Sequence, residues 1–420
     1  MSTTNFKAEI ISIGSELTSG QNLDTNAQWL SRRLAEIGIP VRWHTTLADD
    51  LEENVQALQI AAARARLVLI TGGLGPTQDD LTREALARLA GVDLVFHQES
   101  FDKIRAMFAR RHRDMPERNR VQAMFPAGAE PIDNKNGTAP GIWMKHGPCI
   151  LVAMPGVPSE MYSMFEDSVR PRLVALGASG GVQIERKINC FGAGESTIEE
   201  KVFDLTRRGH VPEVGITASD ATISLRIFGR GASTDEALAQ IAPVEKTICD
   251  RLGDLVFGFG NEELQDVVIR LLTEKHMTLA VAEGVTGGIL SQRLTHVPGA
   301  SVCFLGGIVA YDNRVKVEWL SVPQQMIDDH GAVSAEVAKR MAIGCRSRLR
   351  TDLAVSTVGI AGPHGATCDK PVGLVFVALA SGQGVAVQSF NWSGTRNEIQ
   401  SRTAKMALNM VRLHLLQQQD

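Results

Sequence analysis

Residues 71–82 read Thr-Gly-Gly-Leu-Gly-Pro-Thr-Gln-Asp-Asp-Leu-Thr, placing glycines, a hydroxyl and two adjacent carboxylates within one short stretch. Glycines at 72, 73 and 75 let the backbone approach a ligand closely. The free amides that open a following helix attract an anion. Thr77, Asp79 and Asp80 would stand beside that anion. Carboxylates repel phosphate unless a cation lies between them, so the pattern points to phosphate plus a hard divalent metal. An ordinary strand-to-helix turn with a solvated acidic start also suits the helix dipole, but it does not call for this density of glycines.

The elements around the stretch must hold it. Arg66–Ile70 is an apolar, partly β-branched run that reads as a buried strand, and Thr82–Ala90 reads as a helix. Upstream come a strand at Ala8–Ile13, a helix at Asn22–Ile37 closed by Gly38, a strand at Val41–Thr46 and a helix at Asp50–Ala65. Such alternation predicts an α/β domain with a parallel sheet covered by helices. Ligands in these folds sit at the carboxyl ends of the strands. Three loops could meet there: Gly14–Gly20 with Asp24-Thr-Asn26, residues 71–82, and Met154–Glu160 after the strand Cys149–Ala153. Asn136-Gly-Thr-Ala-Pro-Gly141 is a further turn of small residues.

The remaining chain changes texture twice. Residues 171–258 read as a small α+β unit, with strands at Ile184–Phe191 and Ala221–Phe228 and helices at Ser196–Arg207 and Thr234–Leu252. A KH-like shape is one option there, but a spacer or oligomerisation module is the better reading. Residues 259–420 form a third unit, in which the strand Thr278–Ala282 runs into Glu283-Gly-Val-Thr-Gly-Gly288 and Cys303–Tyr311 reads as another strand. With 420 residues, a net charge of −4 and no long basic run, the chain suits two or three soluble domains rather than a dedicated nucleic-acid binder. Six scattered cysteines without CxxC pairs speak against a disulfide framework or structural zinc. No 18-residue apolar span and no signal-peptide pattern occur, so a cytoplasmic location away from membranes is expected.

Taken together, Gly14-Ser-Glu16, Asp24-Thr-Asn26, Thr71–Asp80, Asn136–Gly141 and Pro155-Gly-Val-Pro-Ser-Glu160 resemble the CinA family nearly end to end. The first third (1–170) is similar to the molybdopterin-binding fold of the MoaB/MogA type, and the last third (259–420) to nicotinamide-mononucleotide deamidases. The resemblance implies metal-dependent hydrolysis of ADP-ribose to AMP and ribose 5-phosphate in the first domain. Mg²⁺, Mn²⁺ or Co²⁺ would serve, with a monovalent cation as a further option, and a homodimer is implied as well. On that reading Asp79 and Asp80 are metal ligands or position water, and Glu16 and Glu160 are carboxylates of the same crevice. Gly72, Gly73, Thr77 and Gly156 hold phosphate, and Asp24 or Asn136 reaches ribose hydroxyls or the second phosphate. Any of the carboxylates could be the general base.

The deamidase-like domain departs from its family where the chemistry would start. The family turn reads Glu-Ser-Cys-Thr-Gly-Gly; here it is Glu283-Gly284-Val285-Thr286-Gly287-Gly288. Amide hydrolysis through an acyl-enzyme needs a hydroxyl or thiol nucleophile, which Gly284 lacks. Thr286 is the one nearby hydroxyl, but its position along the turn should aim it elsewhere. Tyr311 and Lys316 stand where the family's activating and orienting groups are expected, and Gly362, Lys370 and Arg396 complete the pocket by resemblance. The expectation is a mononucleotide-binding or structural domain without deamidase activity. An active nicotinamide-mononucleotide amidohydrolase and a non-catalytic pterin or nucleotide binder are the competing readings.

Overall fold

The computed structural model describes residues 6–176 and 182–417, which fall into two compact units. One comprises residues 1–184 with 229–239, the other 185–228 with 240–420. Residues 177–181, assigned above to the middle domain, lie outside the described residues.

In the first unit the strands are β1 (Ala8–Ile13), β2 (Val41–Leu47), β3 (Leu67–Thr71), β4 (Leu94–Phe96), β5 (Met124–Pro126), β6 (Glu130–Ile132), β7 (Gly141–His146) and β8 (Cys149–Met154). The main sheet runs β2-β1-β3-β8-β7-β6, while β4 and β5 pair separately. β2, β1, β3 and β8 are parallel, as expected. β7 and β6, strands that the sequence reading did not place, join the sheet antiparallel. The chain reverses between β7 and β8 through Gly147, whose φ of +54° suits glycine in a tight hairpin.

Every residue of β1, β3 and β8 is buried, as in central strands covered on both faces. Successive residues serve opposite faces. Ile10, Leu67, Leu69 and Val152 pack with Leu30, Leu34 and Phe165 on one side. Ile11, Val68, Ile70 and Leu151 pack with Leu58, Ala85 and Leu86 on the other. Helices on both faces therefore fix the strand ends from which the loops emerge. The first long helix runs Thr25–Glu36 rather than from Asn22, because the Asp24 carboxylate caps it by accepting from the Ala27 amide at 2.9 Å.

The small α+β module has four strands, β9 (Val182–Cys190), β10 (Glu213–Ser219), β11 (Thr222–Gly231) and β12 (Val256–Phe259), in the order β10-β11-β9-β12. Sequence reading found β9 and β11 but missed the largely exposed β10 and the four-residue β12. The last sheet holds β13 (Leu279–Glu283), β14 (Phe304–Val309), β15 (Leu353–Gly359), β16 (Leu374–Ser381) and β17 (Gly384–Asn391), in the order β14-β13-β15-β16-β17. β14, β13 and β15 are parallel, and β16 and β17 join antiparallel. The helix Arg396–Gln417 ties this sheet to the small module. Its buried Lys405 donates to the Asp220 carbonyl at 2.7 Å and Thr222 Oγ1 at 2.9 Å, and Arg412 donates to the Val256 carbonyl at 3.0 Å. Among the described residues no helix is long and apolar enough to cross a membrane.

Candidate functional sites

Three loops of the first unit converge at the carboxyl ends of β1, β3 and β8. Asn26 Nδ2, from the helix after β1, donates to the Gly156 carbonyl at 2.8 Å in the loop after β8. Gly156 in turn lies against Gly72, so that a Cβ placed on Gly156 would sit 3.4 Å from the Gly72 Cα. Gly72 and Gly73 both have positive φ, +100° and +64°. A Cβ at Gly72 would overlap the Ile13 carbonyl, and one at Gly73 the Thr82 hydroxyl. Glycine is needed at both positions for conformation and for space.

Asp79 and Asp80 have different surroundings. Asp80 accepts from the Gly75 amide at 2.6 Å, the Thr77 amide at 2.8 Å and the Thr77 hydroxyl at 2.5 Å, and so clamps its own loop. The Thr77 groups assigned to phosphate by sequence are thus engaged by Asp80 in this conformation. Asp79 is exposed, and the Thr77 hydroxyl and its own backbone amide hold it below the usual carboxylate range. In this conformation that hydroxyl donates to Asp80.

The other sequence candidates surround this loop or stand apart from it. Glu160 accepts from Asn134 Nδ2 at 2.7 Å, and Asn134 Oδ1 receives the amides of Asn136 and Gly137 at 3.0 and 2.8 Å. Asn136 Nδ2 reaches the Ser159 carbonyl at 3.4 Å. Asn134 therefore organises this corner, and sequence reading missed it because one asparagine in a polar turn carries no periodic signal. Glu16 is exposed and its carboxylate folds back over Gly14. Among the described residues no three His, Cys, Asp or Glu side chains come together as a ready-made metal cage.

The second unit contains a cleft of about 300 Å³ lined by Gly284, Tyr311, Asn313, Lys316, Gly362, His364 and Arg396, among others. Arg396 bridges its mouth, donating to the Gly362 carbonyl at 2.8 Å and to the Tyr311 hydroxyl at 3.0 Å. Lys316 is 5% exposed, donates to the Tyr311 carbonyl at 3.1 Å and Asn313 Oδ1 at 3.2 Å, and burial pushes its pKa down. Lys370 does not line the cleft. Its ammonium is held by the carbonyls of His330 and Val333 at 2.6 and 2.7 Å, bracing the adjacent wall.

Gly284 forms part of the cleft wall, hydrogen bonded through its amide to the Thr357 carbonyl at 2.8 Å. A Cβ there would lie 2.8 Å from the same carbonyl oxygen, closer than side-chain carbons sit. Thr286 is 1% exposed, and its hydroxyl pairs with that of Thr357 at 2.8 Å, away from the cleft lining. Thr286→Val should therefore cost about 1–3 kcal/mol by leaving the buried Thr357 hydroxyl unpaired, which urea unfolding checks.

The chain matches three family models along its length: "Probable molybdopterin binding domain" over residues 9–175, "Damage-inducible protein CinA KH domain" over 185–258 and "CinA C-terminal domain" over 261–415. It is 44% identical to a CinA-like protein of Dictyoglomus turgidum over 98% of this chain and 100% of that one. It is 41% identical to a putative competence-damage inducible protein of Caldicellulosiruptor bescii over 97% and 99%. Among solved structures, a CinA protein of unknown function from Thermoplasma acidophilum is 32% identical, covers 40% of this chain and 97% of its own, and aligns with a TM-score of 0.37. With a MoaB-like N-terminal domain, a small central domain and a CinA-type C-terminal domain in one polypeptide, the chain belongs to the CinA family.

Proposed function

We propose that the N-terminal domain is a metal-dependent hydrolase that cleaves the diphosphate of ADP-ribose to AMP and ribose 5-phosphate, acting as a homodimer. The observation that carries this reading is an exposed carboxylate, Asp79, on a glycine-rich loop at the carboxyl ends of β1, β3 and β8. Mg²⁺ is commonly held by one or two carboxylates plus substrate phosphates rather than by an all-protein cage. On this reading Asp79 would hold such an ion, with Glu16, exposed at the end of β1, as a further carboxylate, while Asp80 keeps the loop closed. When bound, the ion would lower the pKa of a water and neutralise the leaving phosphate. The chain's own contribution is to fix the diphosphate on backbone amides beside Asp79 and to orient it through the Asn134–Glu160 corner.

The C-terminal cleft is read as a binding site for a mononucleotide that does not deamidate it. Lys316 and Arg396 give the cleft a cationic lining, and Gly284 supplies no nucleophile. The test is purified protein incubated with ADP-ribose and, separately, nicotinamide mononucleotide, with each divalent metal and with chelator. Metal-dependent AMP without ammonia is expected. Ammonia from the mononucleotide would overturn the silent-domain reading, and absence of AMP under every metal would overturn the hydrolase.

A further inference from the structure

Four consecutive carbonyls of the glycine-rich loop turn toward the same two residues. Gly72 O accepts from Thr82 Oγ1 at 2.8 Å and Gly73 O from the Thr82 amide at 3.2 Å. Leu74 O accepts from Arg83 Nη2 and, more distantly at 3.5 Å, from Gln122 Nε2, and Gly75 O accepts from Arg83 Nη1 at 3.1 Å. A trans peptide points its N–H opposite to its own C=O. With the carbonyls of residues 72–74 turned inward, the amides of Gly73, Leu74 and Gly75 face the other way. The Gly75 amide goes to Asp80, and Pro76 has none. Among the described residues the amides of Gly73 and Leu74 meet no acceptor, which leaves them available to an anion.

Arg83 is an unusual anchor for such a loop. A helix arginine ordinarily extends its charge to water, yet this one is 0% exposed and among the described residues its Nε has no hydrogen-bond partner. Burial pushes its pKa down to about 10, opposed by Glu84 and Asp80, so it stays cationic at neutral pH. A buried charge is costly unless its surroundings hold it, and an apolar side chain of similar volume would fill the space at lower cost. What the apolar side chain would lose is the fixed direction of two peptide groups, with a positive charge behind them.

We propose that Arg83 is a positioning residue for the N-terminal site, fixing the Leu74 and Gly75 carbonyls so that the Gly73 and Leu74 amides face a phosphate of the substrate. This rests on the reading of that site as a diphosphate site. Arg83 touches neither substrate nor metal; it acts through the loop. A lysine keeps the charge but cannot hold two carbonyls with one planar fork, so it should replace Arg83 only in part.

The experiment uses the full chain as wild type, Arg83→Met, Arg83→Lys and Arg83→Ala. Affinity for inorganic pyrophosphate with Mg²⁺ is measured by calorimetry, KM and kcat with ADP-ribose, and folding by thermal unfolding. Arg83→Met should weaken pyrophosphate binding and raise KM at least about tenfold, with a smaller change in kcat, because the amides bind ground state and transition state alike. Arg83→Lys should fall between the two. Millimolar guanidinium should restore pyrophosphate affinity to Arg83→Ala, as an ion entering the vacated space. Equal pyrophosphate affinity in wild type and Arg83→Met overturns the inference, as does a loss that follows unfolding and is not rescued by guanidinium. Absence of pyrophosphate binding by the wild type also overturns it. Arg83-dependent pyrophosphate binding without any AMP from ADP-ribose would leave the inference standing and remove the hydrolase reading.

Discussion

Asp79→Asn is expected to cut AMP release from ADP-ribose at least about tenfold while leaving thermal unfolding unchanged. The side chain is exposed, so its replacement disturbs no packing. On the proposed reading it removes the loop carboxylate that would meet a cation beside the diphosphate. Asp80→Asn should lower turnover to a similar degree by a different route. Asp80 accepts three hydrogen bonds on two oxygens, and an amide can keep only one of those oxygens. The loop would loosen, at a cost of about 1–3 kcal/mol visible in the melting temperature. The two variants therefore separate chemistry from architecture: a loss of rate with a normal melt for Asp79, and a loss of both for Asp80. Wild-type rates in both variants would remove the loop from the reaction. The depressed pKa of Asp79 adds a pH signature. The carboxylate stays ionised until the pH falls below the ordinary aspartate value of about 3.9, so its protonation should not limit the rate above that pH.

The glycines were legible in the sequence because their function is local. A strand, three glycines and a helix in immediate succession already specify a turn that approaches a ligand closely, and Gly72 and Gly73 do take up the left-handed backbone that only glycine holds easily. The division of labour between Asp79 and Asp80 was not legible. Either carboxylate could have turned back onto the Gly75 and Thr77 amides, and only the three-dimensional path of the loop selects Asp80. Arg83 was hidden for the opposite reason. In a run such as Thr82-Arg-Glu-Ala-Leu it reads as one more solvated charge, and nothing in helical periodicity marks an arginine folded back under the preceding turn. The antiparallel strands β7 and β6 were lost because apolar runs carry no direction. The Gly147-Pro148 step between β7 and β8 was the available signal for a hairpin. In the C-terminal domain the missing hydroxyl at Gly284 could be read directly, whereas the distance to the Thr357 carbonyl could not.

That distance decides the expected behaviour of Gly284→Ser. If the cleft lacked only its nucleophile, a serine at this position would restore deamidation of nicotinamide mononucleotide. The wall, however, leaves 2.8 Å between an added Cβ and the Thr357 carbonyl oxygen, and that oxygen belongs to β15, a buried central strand. The same carbonyl accepts the Gly284 amide, so it cannot withdraw without loosening that bond. Overpacking of this kind costs about 1–3 kcal/mol, and the displaced turn would carry the new hydroxyl away from Lys316 and Tyr311. A misplacement near 1 Å is enough to cost about a hundredfold in a reaction that depends on alignment. Gly284→Ser should therefore melt earlier than the wild type and release no ammonia above background. Ammonia release with an unchanged melting temperature would show that β15 yields readily and that the cleft retains everything but its nucleophile. A destabilised, silent variant would mean that the wall has closed around glycine, and that regaining the activity requires moving the Thr357–Val358 backbone as well as adding a hydroxyl.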